Sequence, residues 1–293
     1  MACPDRYHRA MPEAAGDFIV NVCLTGMMPR RTNVPSLPIS PSEVAATVAA
    51  CVREGASMFH IHARDDHEEP EWRTDRYNEI MAAVRETCPE AVLGVTTSGR
   101  IVEDFERRSA SLDAFPKPDM ASLTLGPVNF LRDGSANDPA MIRDLATAMR
   151  ERGIVPELEV FDVGMARFAG RLLDEGVLAP PLYANVILGN VSSAACTPAD
   201  LAAVVQALPS GVTWCVGGIG RAQLAAATMG VLFGHGTRIG LEDAVRLPDG
   251  EPASNPALVE RIVRVGRLLG RKPVSPGEVR ELLSLRTGEH VFG

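Results

Sequence analysis

The sequence has no C-x-x-C pair, no basic stripe and no apolar run long enough to span a membrane. Its six cysteines, at positions 3, 23, 51, 88, 196 and 215, are scattered, so neither a zinc ribbon nor a disulfide framework is indicated. They read as mostly buried thiols in a reducing compartment. With 29 Lys and Arg against 37 Asp and Glu, a formal charge of -8, the chain offers no field to attract nucleic acid or an anionic membrane. A phosphate-bearing ligand would have to be met by local arginines. The first residues, Met1 to Gly16, are polar and contain proline but no hydrophobic signal core. A cytoplasmic enzyme acting on a small molecule is therefore expected.

What the chain does have is length and alternation. At 293 residues, 46% apolar and 23% charged, it suits a single α/β barrel. Strand-like runs occur at Phe18 to Thr25, Ser57 to His62, Ala91 to Thr97, Met120 to Leu125, Pro156 to Phe161, Leu182 to Leu188, Thr213 to Ile219 and Thr237 to Leu241. Between them, apolar spacings of three and four predict helices over Pro41 to Glu54, Arg76 to Thr87, Ile101 to Ser109, Pro139 to Arg152, Met165 to Glu175, Pro198 to Leu208, Arg221 to Phe233 and Pro256 to Leu269. Ser40-Pro41, Thr197-Pro198 and Asn255-Pro256 each read as an N-cap followed by proline at the first helical position. Eight such pairs predict a (β/α)8 TIM barrel, one domain over residues 1–293, with a short N-terminal extension of about residues 1–16 and a C-terminal helical tail. A dinucleotide fold is disfavoured, because Gly26-Met27-Met28-Pro29-Arg30-Arg31 after the first strand lacks the glycine spacing that cradles a pyrophosphate.

Function should then sit at the carboxyl ends of the strands. His60-Ile61-His62 closes the second strand, and a period of two sends both imidazoles to one face. They are either half of a metal site or two polar residues lining a barrel interior. Near the end of the last strand, Arg238-Ile239-Gly240-Leu241-Glu242-Asp243 brings two carboxylates to where a barrel closes. His60, His62 and Glu242 would make a three-ligand catalytic zinc site, with Asp243 left as acid/base; otherwise the two acids begin a polar loop. Arg238, of the same parity as Glu242, needs a carboxylate if it lies deep in the barrel. Glu157 and Glu159 share one face of an otherwise apolar strand, and at least one is expected to face inward. Thr96-Thr97-Ser98-Gly99-Arg100 offers hydroxyls and a glycine-permitted turn suited to gripping a carboxylate, or is only a strand-to-helix turn.

From about Asn21 onward the chain resembles the β-keto acid cleavage enzymes, whose founding activity is 3-keto-5-aminohexanoate cleavage. The resemblance is carried by Leu24-Thr25-Gly26-Met27-Met28-Pro29, Pro38-Ile39-Ser40-Pro41, His60-Ile61-His62-Ala63-Arg64-Asp65, Thr97-Ser98-Gly99-Arg100 and Ala121-Ser122-Leu123-Thr124-Leu125-Gly126. It continues in Pro156-Glu157-Leu158-Glu159-Val160-Phe161-Asp162, Gly218-Ile219-Gly220-Arg221 and Arg238-Ile239-Gly240-Leu241-Glu242-Asp243. It implies a (β/α)8 barrel, usually a homotetramer, with zinc or another divalent metal on the residues matching His60, His62 and Glu242. It further implies Asp243 as general base, Arg238 as charge-stabilising group and Ser98 as a contact to the substrate carboxylate. Thr25, Met28, Thr97 and Gly99, within the matching stretches, are further candidate substrate contacts, and Glu157 or Glu159 would orient Arg238 or Asp243.

The implied reaction condenses a β-keto acid with acetyl-CoA and releases acetoacetate and a new acyl-CoA. The metal would stabilise the enolate formed when Asp243 takes a proton, and Arg238 would offset the developing oxyanion. Two departures stand out. Family members often read Gly-Gly-His before the x-Arg of the last strand, whereas Gly234-His235-Gly236-Thr237-Arg238 displaces the histidine by one position, so His235 receives no site role. The aminated-substrate activity uses an acidic residue in the first loop, where this chain has Met27-Met28, so a neutral or apolar β-keto acid is expected. The alternatives are a zinc-dependent aldolase or hydrolase without CoA, and a non-catalytic metabolite-binding barrel. A mere binder has no need of a base beside a metal.

Overall fold

Apolar strands buried on both faces, each followed by an amphipathic helix, have one efficient way to hide their surfaces, which is a parallel sheet wrapped by helices. The computed structural model, described over residues 16–285, adopts it. In chain order the elements are β1 (Ile19–Cys23), α1 (Pro41–Glu54), β2 (Met58–Ile61), α2 (Thr74–Thr87), β3 (Val92–Val95), α3 (Phe105–Ser109), β4 (Met120–Thr124), β5 (Val128–Asn129), β6 (Gly134–Ser135), α4 (Pro139–Arg152), β7 (Val155–Val160), α5 (Val163–Asp174), β8 (Tyr183–Leu188), α6 (Pro198–Ala207), β9 (Thr213–Gly218), α7 (Gln223–Phe233), β10 (Gly236–Ile239), α8 (Asn255–Leu268) and α9 (Pro276–Leu282). Eight parallel strands close in the order β1-β10-β9-β8-β7-β4-β3-β2, and β5 with β6 forms a separate antiparallel ribbon above the β4 end. The N-terminal extension lies, apart from Gly16, outside the described residues. No helix among the described residues is long and apolar enough to cross a membrane.

Local chemistry accounts for the helix starts. Ser40 accepts from the Glu43 N–H while the Glu43 carboxylate accepts from the Ser40 N–H, and Pro41 opens α1 without a donor to waste. Thr197 caps α6 in the expected way. At α8 the expectation fails by one residue, because Ser254 is the cap and Asn255 is already helical. The Asn255 side chain is engaged elsewhere: it accepts from the Leu241 N–H and donates to the Leu24 carbonyl, tying together the ends of two barrel strands. The third helix is also shorter than expected, starting at Phe105 with Asp104 as its cap and continuing as a 3-10 turn over Ala110–Asp113.

Inside the barrel the side chains form three layers, as a period of two demands. The amino-end layer is apolar, with Ile19, Met58, Val92, Met120, Tyr183 and Cys215 packed on Val279, Leu283 and Leu285 of the α9 region. This C-terminal segment plugs one mouth. Above it lies a polar layer of Asn21, His60, Glu157 and Asn185, and at the carboxyl ends stand His62, Glu159 and Arg238. Gly217 makes room for the last of these, since a Cβ there would stand 3.1 Å from the Arg238 Cβ.

Candidate metal and active site

The second strand ends where the sequence requires. His60 lies opposite Cys23 of β1 and Gly94 of β3, and its neighbour on the same face, His62, follows the strand. The two Nε2 atoms are 3.0 Å apart, and Glu242 Oε2 is 3.9 Å from the first and 3.3 Å from the second. Glu242 reaches them because the chain after β10 folds over β1, its N–H bonding to the Cys23 carbonyl. Gly26 makes that approach possible: at φ 62° it passes so close that a Cβ would sit 2.6 Å from Glu242 Cγ. Arg64, fully buried, clamps the same loop through the carbonyls of Gly26 and Pro29.

The donor set fits a divalent cation. Donors about 2.0–2.2 Å from a tetrahedral zinc stand roughly 3.3–3.6 Å apart, and the observed edges of 3.0, 3.3 and 3.9 Å bracket that spacing. His60 Nδ1 is 3.0 Å from Glu157 Oε2, and a carboxylate can only accept, so Nδ1 carries the hydrogen and Nε2 presents its lone pair. Glu242 Oε2, 3.9 Å from that nitrogen, is a buried acceptor with no hydrogen bond. Among the described residues, His60, His62 and Glu242 are the group of metal-ligating side chains whose donor atoms lie within 4.8 Å of one another. Burial opposes charging of His60, but Glu242 and Glu157 outweigh it and raise its pKa to about 9. Burial lowers that of His62, and Glu242, although buried, is held well below the usual carboxylate range by His62, Arg238 and His60.

Beside the triad lies a charged cluster. Arg238 donates to Asp243 Oδ2 at 3.0 Å, Glu159 Oε1 at 2.8 Å and Glu242 Oε1 at 2.8 Å. Thr124 donates to the other Glu159 oxygen at 2.6 Å. Burial raises the Asp243 pKa to about 6 against the pull of Arg238, with Glu242 adding to the rise. Both strand glutamates face inward, but they divide the work. Glu159 holds Arg238, whereas Glu157 touches neither Arg238 nor Asp243; it grips His60 and accepts from Asn21 at 2.6 Å and Asn185 at 2.7 Å. Of the two glutamates expected to orient Arg238 or Asp243, Glu159 is the one bonded to Arg238, and Glu157 lies beneath the His60 imidazole.

A cavity of about 530 Å³ opens over these groups, and His62, Glu159, Arg238, Glu242 and Asp243 form one wall. Met27, Met28, Val128, Phe130, Phe161 and Val191 give the remainder an apolar character. Ser98 lines it, but Thr25, Thr97 and Gly99 do not. The Thr25 and Thr97 hydroxyls donate to the Pro38 and Ser122 carbonyls, and Gly99 packs against Ala136 and Arg108. Thr96, one residue earlier on the inward face, takes the place expected of Thr97. Sequence reading passed over Asn21, Asn185 and Thr124 as site residues. A signal existed for the two asparagines, since a lone amide inside an apolar strand needs a buried partner. His235 precedes β10, at the opposite end of the barrel, and accepts from the Trp214 N–H.

The family described as beta-keto acid cleavage enzyme matches residues 17–285. The chain is 34% identical to a 3-keto-5-aminohexanoate cleavage enzyme of Fusobacterium nucleatum subsp. nucleatum, over 92% of this chain and 98% of that one. It is also 34% identical to a 3-oxoadipate:acetyl-CoA acetyltransferase of Cupriavidus necator, covering 92% and 96%. A 3-dehydrocarnitine:acetyl-CoA trimethylamine transferase of Rhizobium meliloti is 30% identical over 92% and 97%. Among solved structures, the binary complex of ObcA with oxaloacetate superposes with a TM-score of 0.75, at 20% identity, over 86% of this chain and 68% of that one. That likeness concerns the fold.

Proposed function

The chain belongs to the β-keto acid cleavage enzyme family, and from that membership we propose that it condenses a neutral or apolar β-keto acid with acetyl-CoA, releasing acetoacetate and a new acyl-CoA. It is an acyltransferase that makes and breaks carbon-carbon bonds. The reading rests on one observation: a buried carboxylate, Asp243, and a buried guanidinium, Arg238, stand beside three donor atoms that can hold one cation.

His60, His62 and Glu242 would hold zinc, which supplies Lewis-acid polarisation of the keto and carboxylate oxygens of the substrate. Asp243 would take the proton from the carbon between the two carbonyl groups, and the resulting carbanion would attack the acetyl carbon of the thioester. The departing CoA thiolate would add to the original keto carbon, and cleavage of the carbon-carbon bond there would release the new acyl-CoA and an acetoacetate carbanion that takes the proton back. Arg238, charged and fixed by Glu159, would face the negative charge that develops on the attacked oxygen. Ser98 and Thr96 line the cavity and would bond the substrate carboxylate. The substrate side chain would meet Met27, Met28, Phe161 and Val191. Arg100 at the rim is already bonded to both Asp133 oxygens, at 2.9 and 3.1 Å, and stacked 4.0 Å over Phe130, so it offers no unpaired charge to a substrate. The reading includes a homotetramer in the cytoplasm, which light scattering and fractionation address.

The test is a panel of β-keto acids given to zinc-loaded enzyme with labelled acetyl-CoA. Labelled acetoacetate from the neutral and apolar acids is expected. Cleavage without acetyl-CoA, or preference for an aminated acid, would overturn the reaction or the substrate assignment respectively.

A further inference from the structure

The stretch Gly218-Ile219-Gly220-Arg221 plays no part in the chemistry above, yet it stands at the edge of the site. Ile219 lines the metal cavity, whereas Gly220 and Arg221 border a second cavity of about 560 Å³ between the start of α7 and the first turns of α8. The chain after β10 divides in the same way, with Asp243 on the metal cavity and Ala244 to Arg246 on the groove. The partition is thin: the Gly220 N–H donates directly to the Asp243 carbonyl at 2.6 Å.

The groove has an apolar floor that includes Leu224, Leu258 and Ile262, and it carries Arg221, Arg246 and Arg261. No carboxylate lines it, although the chain has 37 acidic residues against 29 basic ones. Arg221 and Arg261 have no hydrogen-bond or ion-pair partner among the described residues, and Arg246 reaches only the Gly250 carbonyl at 2.7 Å. Three guanidinium groups left with spare donors beside an apolar floor complement a ligand that combines an apolar ring with phosphates. The loops after the last two barrel strands are a recurrent phosphate-binding position in this architecture.

We infer that this groove binds the 3′-phospho-ADP end of acetyl-CoA, with the adenine on the apolar floor and the phosphates on Arg221, Arg246 and Arg261. The inference rests on the CoA dependence proposed above. The pantetheine arm then crosses the rim of the partition and delivers the acetyl group beside Asp243. A globally acidic chain meets a polyanionic co-substrate with arginines gathered at one place.

The experiment compares wild type with an Arg221→Ala, Arg261→Ala double variant, on acetyl-CoA and on acetyl-pantetheine, which lacks the nucleotide. Calorimetry with 3′-phospho-ADP alone provides a second readout. Loss of charge-assisted bonds is expected to raise the KM for acetyl-CoA about tenfold or more at unchanged kcat, leave acetyl-pantetheine kinetics unchanged and abolish nucleotide binding. The inference is overturned if wild type fails to bind 3′-phospho-ADP, if the variant binds it equally well, or if both thioesters lose activity together. A variant that changes oligomeric state while keeping nucleotide affinity would make the groove a subunit contact instead. Nucleotide binding by a wild type that turns over neither thioester would leave the groove assigned and refute the proposed reaction.

Discussion

The two mouths of the barrel solve the same problem, buried arginines, in opposite ways. At the amino end Arg85 and Arg280 share the single carboxylate of Asp119, at 2.6 and 2.8 Å, and send further donors to the carbonyls of Pro89, Glu90 and Ala91. At the carboxyl end one guanidinium, Arg238, is shared by Glu159, Glu242 and Asp243, with Glu157 one layer below. Within these two ion-pair clusters, the atom left without a hydrogen bond is a donor, Arg85 Nε, at the amino end and an acceptor, Glu242 Oε2, at the carboxyl end. The excess of negative charge is therefore confined to the mouth that is open. α9 and the residue that caps it plug the other with Val279 and Leu283. One end is built to be finished by the chain itself and the other by a cation and a substrate.

Substitution at each end should separate activity from stability. Asp243→Asn keeps the shape of the carboxyl end but removes the base, so kcat is expected to fall by about 10²–10⁴-fold, with metal content and Tm close to wild type. Full turnover would place the base elsewhere. Asp119→Asn does the converse: two buried cations lose their counter-charge, a loss of about 3–5 kcal/mol by denaturant titration, while activity per folded molecule stays unchanged. A stable but inactive Asp119 variant would show that the two mouths are coupled through the barrel.

Much of this division is legible in the sequence. The eight strands were readable because burial on both faces makes each an apolar run, and helices α1 and α4 are bounded by local chemistry at Ser40-Pro41 and Asp138-Pro139. His60, His62, Glu242, Asp243 and Arg238 were readable as a set because they cluster at the ends of only two strands, which closure makes neighbours of β1 on either side. What sequence could not provide was partnership across the barrel. Glu157 and Glu159 have the same parity and chemistry; the register puts Glu159 opposite both Thr124 and Asn185, yet the Asn185 amide bonds Glu157, a side-chain pairing that strand parity does not specify. The Thr96 and Thr97 exchange is a matter of which residue after β3 faces the cavity.

The polar layer beneath the site supplies the next effect. Asn21 and Asn185 hold one oxygen of Glu157 while His60 holds the other, so the amides fix the carboxylate that fixes the imidazole. Asn185→Leu is expected to weaken zinc affinity about 10–100-fold in a chelator competition. In the same experiment, wild type at 100 times its Kd should gain about 2.7 kcal/mol of stability, and the amino-end Asp119→Asn variant should gain as much. Equal zinc affinity in the folded Asn185 variant would remove Glu157 from the metal's support.

The smallest expected effect again separates the ends, by pH. His235, at the amino end, accepts from the Trp214 N–H through Nδ1, and burial, aided by Arg271, lowers its pKa. Its folded pKa lies below the unfolded value of about 6.5, so on acidification the unfolded chain takes the proton first. The contribution is fully present above that value and is lost as the pH falls through the interval below it. His235→Gln should therefore flatten the decline in stability between pH 7 and pH 5 in metal-free protein, measured by urea titration, without altering zinc affinity at pH 7. An undiminished slope would move the acid sensitivity to the carboxyl end, where His62 is also held below its ordinary value by burial. Zinc would then suppress the slope by occupying that residue, an outcome that His235 cannot produce from the far mouth of the barrel.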